Sequence, residues 1–299
     1  MKRGKKLLAV MMAAMFAAGT VVGCGSAGTK TSQADQTTAK EETTKAEETT
    51  AAAETTTAEA KAEKSDLYVF IAASLKNTME KIKETYEKDH PNVNIIYNAD
   101  SSGTLQKQIE EGAQCDVFFS AATKQMDALK EGGFVVDGSI TNLLENKIVL
   151  IKPKGGKTEV TGFDNITKAS SLALAGEDVP VGQYARKLFT NLGILDQVMK
   201  MEINEGANVT AVLTSVAEGS NEVGVVYATD AASMADKVEI IAEADPTMID
   251  PAVYPVGLII DKEATEEQAK AAADFKEYLV SDEGVMKLFT DAGFAKAAK

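Results

Sequence analysis

Histidine, cysteine and tryptophan are almost missing from this sequence, with one, two and none respectively in 299 residues. The lone histidine, His90, stands before Pro91 at the end of a helical pattern. It reads as a solvated C-terminal residue facing the helix dipole rather than as a base or a ligand. No cysteine and histidine cluster has metal-ligand spacing, so no metal ligated directly by side chains and no cofactor is expected. A Gly-Lys-Ser/Thr phosphate loop is missing, and no serine nucleophile can be matched with a plausible histidine. Cys115, in Ala113-Gln114-Cys115-Asp116-Val117, sits at the edge of an apolar strand and reads as a small buried residue, not a nucleophile. With so little catalytic equipment, the expectation is a protein that is not an enzyme.

Positive charge is also short. From residue 65 to the end there are 22 Lys and Arg against 37 Asp and Glu. That balance argues against nucleic acid or an anionic membrane surface as a partner. Only one apolar run stands out near the beginning, Leu7 to Ala18, preceded by Lys2, Arg3, Lys5 and Lys6. It is too short to stay in a membrane and reads as an export signal over residues 1–23. The run closes on Val21-Val22-Gly23-Cys24, which resembles the lipobox of bacterial lipoproteins. The resemblance implies cleavage before Cys24 and lipid attachment to its thiol, hence a chain anchored to the outer face of the cell membrane. No intramolecular disulfide could then form. Residues 24–64, rich in Thr, Ala, Glu, Lys and Ser, cannot bury enough apolar surface to offset chain entropy and are expected to be a disordered tether.

From residue 65 onward, strand-length and helix-length apolar patterns alternate. Leu67 to Ala72 reads as a strand, then Leu75, Met79, Ile82 and Tyr86 recur at helical spacing. Val93 to Tyr97, Val117 to Ser120, Lys147 to Ile151, Leu172 to Ala175, Val223 to Tyr227 and Val253 to Ile260 read as further strands, with helices between most of them. Such an order predicts an α/β fold with two lobes, each a mostly parallel sheet with helices on both faces. The first lobe is expected over 65–146 plus 246–299 and the second over 147–245. Two crossings between lobes make a cleft and a hinge, the geometry of closing binding proteins.

Four of the predicted helices open on small or hydroxyl residues just after a strand: Ala72-Ala73-Ser74, Ser101-Ser102-Gly103-Thr104, Pro180-Val181-Gly182 and Asn208-Val209-Thr210. Singly, each is an ordinary helix start, since Ser, Thr and Asn are what helices begin with. Converging on one cleft, their unpaired amides and positive dipole ends would form an uncharged anion trap. Open parallel sheets place ligands at the carboxyl ends of their strands, where these starts lie.

The motifs Val69-Phe70-Ile71-Ala72-Ala73-Ser74-Leu75, Ser101-Ser102-Gly103-Thr104-Leu105, Asp116-Val117-Phe118-Phe119-Ser120-Ala121, Val179-Pro180-Val181-Gly182-Gln183-Tyr184-Ala185, Gly224-Val225-Val226-Tyr227 and Tyr254-Pro255-Val256 resemble, in the same order, the molybdate-binding proteins of ABC transporters. The resemblance covers essentially Asp66 to Phe294. It implies a periplasmic-binding-protein-like fold holding molybdate or tungstate between the lobes and delivering it, as a monomer, to a membrane permease. The implied donors are the hydroxyl and amide of Ser74 and of Ser102, the amides of Val181 and Val209, and the hydroxyl of Tyr227. Gly103 stands where the family commonly has a hydroxyl residue, which leaves the register between Ser101 and Ser102 open. An extra residue within Glu202 to Asn208 does the same for the amide at Val209. Donor-only coordination selects a fully deprotonated anion, so hydrogen phosphate, whose proton needs an acceptor, should be rejected unless Asp100 supplies one. Sulfate differs from molybdate only in size and remains the alternative, beside an enzyme built on the same two-lobe fold.

Overall fold

A computed structural model describes residues 64–298. The expected export signal, Cys24 and all of the expected tether except Lys64 lie outside the described residues. The folded chain opens with strand β1 (Ser65–Ala72), a single 3₁₀ turn (Ala73–Leu75) and helix α1 (Lys76–Asp89). Strand β2 (Val93–Asp100), helix α2 (Ser102–Glu110), strand β3 (Val117–Phe119) and helix α3 (Thr123–Glu131) follow. In α1 the buried Met79, Ile82 and Tyr86 repeat at three and four residues, the stripe of a helix with one face on a core. Pro91, two residues beyond its end, cannot continue it. β1 is buried on both faces: Leu67, Val69 and Ile71 join the main core, while Phe70 packs on the opposite side with Phe118, Leu105 and Met126. A continuous apolar run is what a strand covered on both sides requires.

Strand β4 (Thr141–Asn146) leads straight into β5 (Ile148–Pro153), where the chain passes into a second sheet. There it forms β6 (Leu172–Ala175), α4 (Pro180–Asn191), the short α5 (Leu195–Val198), β7 (Ile203–Gly206), α6 (Val209–Ala217), β8 (Val223–Tyr227), α7 (Ala228–Ser233) and β9 (Val238–Glu243). The chain returns through β10 (Ala252–Leu258) and ends on α8 (Glu266–Ser281), α9 (Glu283–Asp291) and β11 (Ala295–Lys296). The six-stranded sheet runs β11-β4-β10-β3-β1-β2 and the five-stranded sheet β7-β6-β8-β5-β9. This is a two-lobed α/β fold.

Parallel pairing holds for β1 with β2 and β3, and for β6 with β7 and β8. The remaining pairings are antiparallel, so each sheet is more mixed than the alternation of patterns predicts. The reason lies in the crossings. β4 carries the chain out of the first sheet and β10 brings it back beside it, so the two run in opposite senses, and β5 and β9 do the same in the second sheet. The strands that the apolar pattern does not reveal, β4, β7, β9 and β11, are short or carry exposed polar residues, as sheet margins can. Among the described residues no helix is long and apolar enough to cross a membrane.

Candidate functional site

The carboxyl ends of β1 and β2 in one sheet, and of β6, β7 and β8 in the other, lead into the helix starts that surround one small cavity. Ser74 lies in the 3₁₀ turn after β1, and Ser102 is the first residue of α2. Val181 is the second residue of α4, Val209 the first of α6, and Tyr227 the last of β8. All five line this cavity. The amides of Ser102, Val181 and Val209 fall in first helical turns, where no carbonyl four residues back can pair them. Pro180, which has no N–H, occupies the first position of α4, so the first amide of that helix is the one on Val181.

The cavity is small, with room on the scale of a single small solute. Among the described residues no Lys or Arg lines it, and the one charged residue at its wall is Asp100. One of its oxygens is held: Asp100 Oδ1 accepts from the Ser101 amide at 2.7 Å and, across the gap between the sheets, from Asn208 Nδ2 at 3.0 Å.

Side-chain partners separate the two adjacent serines. Ser101 is the cap of α2, its Oγ accepting from the Thr104 amide at 3.1 Å. Ser102 Oγ instead accepts from the Ala121 amide at 2.9 Å, which fixes the oxygen and leaves the hydroxyl proton to be donated elsewhere. Asn208 caps α6 in the same way, taking the Ala211 amide at 3.0 Å, so the helix opens at Val209 despite the irregular stretch before it. Tyr227 is 1 % exposed, and its hydroxyl is buried without a hydrogen-bond partner. Burial pushes this phenol well above its ordinary pKa, so it stays a proton donor. Its ring meets Tyr254 edge-on at 5.6 Å.

Gly103 marks where the two halves touch. A Cβ built there would lie 1.9 Å from the carbonyl oxygen of Asp178, which belongs to the loop before α4. Beside that contact Lys107 on α2 reaches Asp178 Oδ2 at 2.9 Å, an exposed pair that holds the Asp178 carboxyl below its ordinary pKa. Gln125 Nε2 donates to Gln183 Oε1 at 3.3 Å on another side. The absence of a side chain at Gly103 is therefore what permits this approach.

Other candidates lie elsewhere. His90 stacks on Tyr86 with ring centroids 4.0 Å apart, and its Nδ1 faces the Tyr86 carbonyl at 3.0 Å. Cys115 is 1 % exposed, and burial drives its thiol well above the ordinary value, which makes it a poor nucleophile. Two residues behind the cavity have no role that the sequence alone reveals. Tyr254 Oη lies 2.9 Å from Ser74 Oγ, and Asn146 Nδ2 donates to Tyr254 Oη at 3.3 Å and to Thr229 Oγ1 at 2.8 Å. Tyr254 is visible within a motif, but Asn146 closes a strand that the apolar pattern does not show.

Comparison with known proteins identifies the family. Residues 67–295 match the family model described as bacterial extracellular solute-binding protein. A Bacillus subtilis chain named as an ABC transporter substrate-binding lipoprotein, YvgL, is 41% identical over 78% of this chain and 87% of its own length. The molybdate-binding protein ModA of Haemophilus influenzae is 32% identical over 78% of this chain and 91% of its own. A solved Clostridium difficile structure described as the substrate-binding domain of a molybdenum ABC transporter superposes with a TM-score of 0.59 at 36% identity, over 78% of this chain and 99% of that one. On its match over nearly all of the folded residues, the chain belongs to the bacterial extracellular solute-binding protein family.

Proposed function

We propose that this protein captures molybdate or tungstate outside the cytoplasm and delivers it to the permease of an ABC transporter. The observation that carries the proposal is the gathering of Ser74 and Ser102 from one sheet, and Val181, Val209 and Tyr227 from the other, on a single cavity that no Lys or Arg lines among the described residues. Their hydroxyls and amides offer seven neutral donors. At ~1.5 to 3 kcal/mol per charge-assisted bond, these exceed the ~8 kcal/mol of a micromolar complex before the costs of ordering and closure. Tight binding of a dianion thus needs no Lys or Arg, which suits a protein of net charge -14.

In this reading residues 65–146 with 246–299 form one lobe and 147–245 the other, and the two close on the anion. Cys24 carries the lipid, residues 24–64 are the tether, and the protein acts as a monomer. The lipid raises the local concentration of the binding protein at its permease. Isothermal calorimetry with molybdate, tungstate, sulfate and phosphate at matched salt tests the proposal. Heat with molybdate and tungstate alone is expected. Sulfate binding as tightly as molybdate would reassign the ligand to sulfate, and heat with none of the four would remove the oxyanion reading altogether.

A further inference from the structure

We infer that Tyr254, which does not line the cavity, is a specificity-determining positioning residue: it compels the Ser74 hydroxyl to donate and so denies a protonated anion an acceptor. The inference rests on the oxyanion reading of the cavity and deepens it.

Protons can be followed through a short buried chain. Asn146 Oδ1 accepts from the Lys147 amide at 2.9 Å, which sets the orientation of its side-chain amide and turns Nδ2 the other way. Nδ2 donates to Thr229 Oγ1 at 2.8 Å and to Tyr254 Oη at 3.3 Å. Tyr254 Oη is thereby an acceptor toward Asn146. Its own proton has one hydrogen-bond partner among the described residues, Ser74 Oγ at 2.9 Å. Tyr254 is 0 % exposed, and burial keeps its phenol protonated. Either hydroxyl of that pair can donate by geometry, and only donation from Tyr254 leaves the buried phenol proton paired, since Tyr227 Oη makes no hydrogen bond; Ser74 Oγ then accepts, and its proton is left for the cavity that Ser74 lines. Ser102 reaches the same polarity by another route, through the Ala121 amide, which no side-chain substitution can remove.

A fully deprotonated tetrahedral dianion is satisfied by such a set of donors. Hydrogen phosphate is not satisfied at Ser74 or Ser102, because a P–O–H facing either meets a hydroxyl that already points a proton at it, and an unpaired buried donor is penalised by more than a good one gains; the one acceptor left at the wall is Asp100, whose Oδ1 is held by Ser101 and Asn208. In Tyr254→Phe the constraint on Ser74 is gone. Its hydroxyl can rotate, donate to another oxygen or accept from the anion, and discrimination falls. Asn146→Asp tests the same chain in reverse. A carboxylate at 146 accepts a hydrogen bond from the Tyr254 hydroxyl, Tyr254 Oη then accepts from Ser74, and Ser74 turns its lone pairs to the cavity.

The experiment is calorimetry of the wild-type protein, Tyr254→Phe, Asn146→Asp and Ser74→Ala with molybdate and with inorganic phosphate near neutral pH, with thermal melting to confirm folding. In Tyr254→Phe the ratio of molybdate to phosphate affinity is expected to fall about tenfold or more. Asn146→Asp should shift it in the same direction, which keeps the test alive if either variant folds poorly. Ser74→Ala, which removes a donor without supplying an acceptor, should weaken molybdate and gain nothing for phosphate. An unchanged ratio in folded Tyr254→Phe or Asn146→Asp overturns this inference while leaving the oxyanion reading intact. Wild-type protein that binds neither molybdate nor phosphate overturns the reading beneath it, and wild-type protein that takes phosphate as tightly as molybdate overturns the claim of donor-only polarity.

Discussion

Replacing Gly103 by alanine should hold the two lobes apart. The new methyl carbon would sit 1.9 Å from the Asp178 carbonyl oxygen and 2.9 Å from its carbon. Real Cβ atoms essentially never approach a heavy atom within 3.0 Å, so the backbones must part by about 1.1 Å. Asp178 O is a main-chain atom and cannot swing aside as a long side chain would. Val181, three residues on in the same loop and helix start, moves with it. A hydrogen bond of ordinary length stretched by that distance is no longer a bond. Losing one charge-assisted donor costs about 1.5 to 3 kcal/mol, or roughly tenfold to a hundredfold in affinity. The folded lobes themselves should be spared. Gly103 is the second residue of α2 with an ordinary helical backbone, where alanine is the better helix former by up to about 1 kcal/mol. Calorimetry with molybdate should therefore show the loss, while melting without anion stays level or rises slightly. Unchanged affinity, or a fall in melting temperature with affinity retained, would contradict this account of Gly103.

Gly182→Ala makes a contrast, because its Cβ would meet Gly176 O at 2.2 Å and Ala175 O at 2.4 Å within the same lobe. Opening the cleft cannot relieve that clash, so melting without ligand should fall, by about 1 to 3 kcal/mol in stability. Tyr227→Phe should weaken molybdate binding by roughly 1 to 3 kcal/mol yet slightly stabilise the empty protein, since the hydroxyl it removes is buried and unpaired there. Ser102→Ala should weaken binding similarly but destabilise the empty protein, because the Ala121 amide loses its acceptor; chemical denaturation with and without anion separates the two signs. Burial of Asp230 raises its carboxyl to about 7, so the folded protein keeps a proton that the unfolded chain releases near its ordinary value. The contribution of Asp230 to stability should then be fully present below about pH 4, decline as pH rises toward 7 and be lost above it. The difference in stability between wild type and Asp230→Asn in denaturant titrations should therefore change between about pH 4 and 7; a difference constant across that range would show that the carboxyl is not shifted.

The parts of the site that were legible in the sequence are those built from neighbours along the chain. Helix starts at Ser101, Val179 and Asn208 could be read because a cap bonds an amide only three residues ahead, or because proline tolerates one position only. The core strands β1, β3 and β8 announced themselves as apolar runs. Strands β4 and β7 did not, because Thr141–Asn146 and Ile203–Gly206 carry too few buried residues to make a pattern. Ser101 and Ser102 both line the cavity, and the motif does not reveal how their hydroxyls are held: the amide of Ala121, 19 residues away, takes one as its acceptor while the other caps the helix.

Composition and local pattern were enough to establish an α/β core, little catalytic equipment and several hydroxyl-rich helix starts after strands, because those properties depend on residue type and short spacing. Which starts face each other, how large the space between them is and which way each hydroxyl points emerged only when the chain was folded. Ser74 owes its polarity to Tyr254, 180 residues on, and Gly103 owes its lack of a side chain to a carbonyl in the opposite lobe. Such pairings arise when two sheets pack and the chain crosses between them, and no periodicity within one segment carries that information.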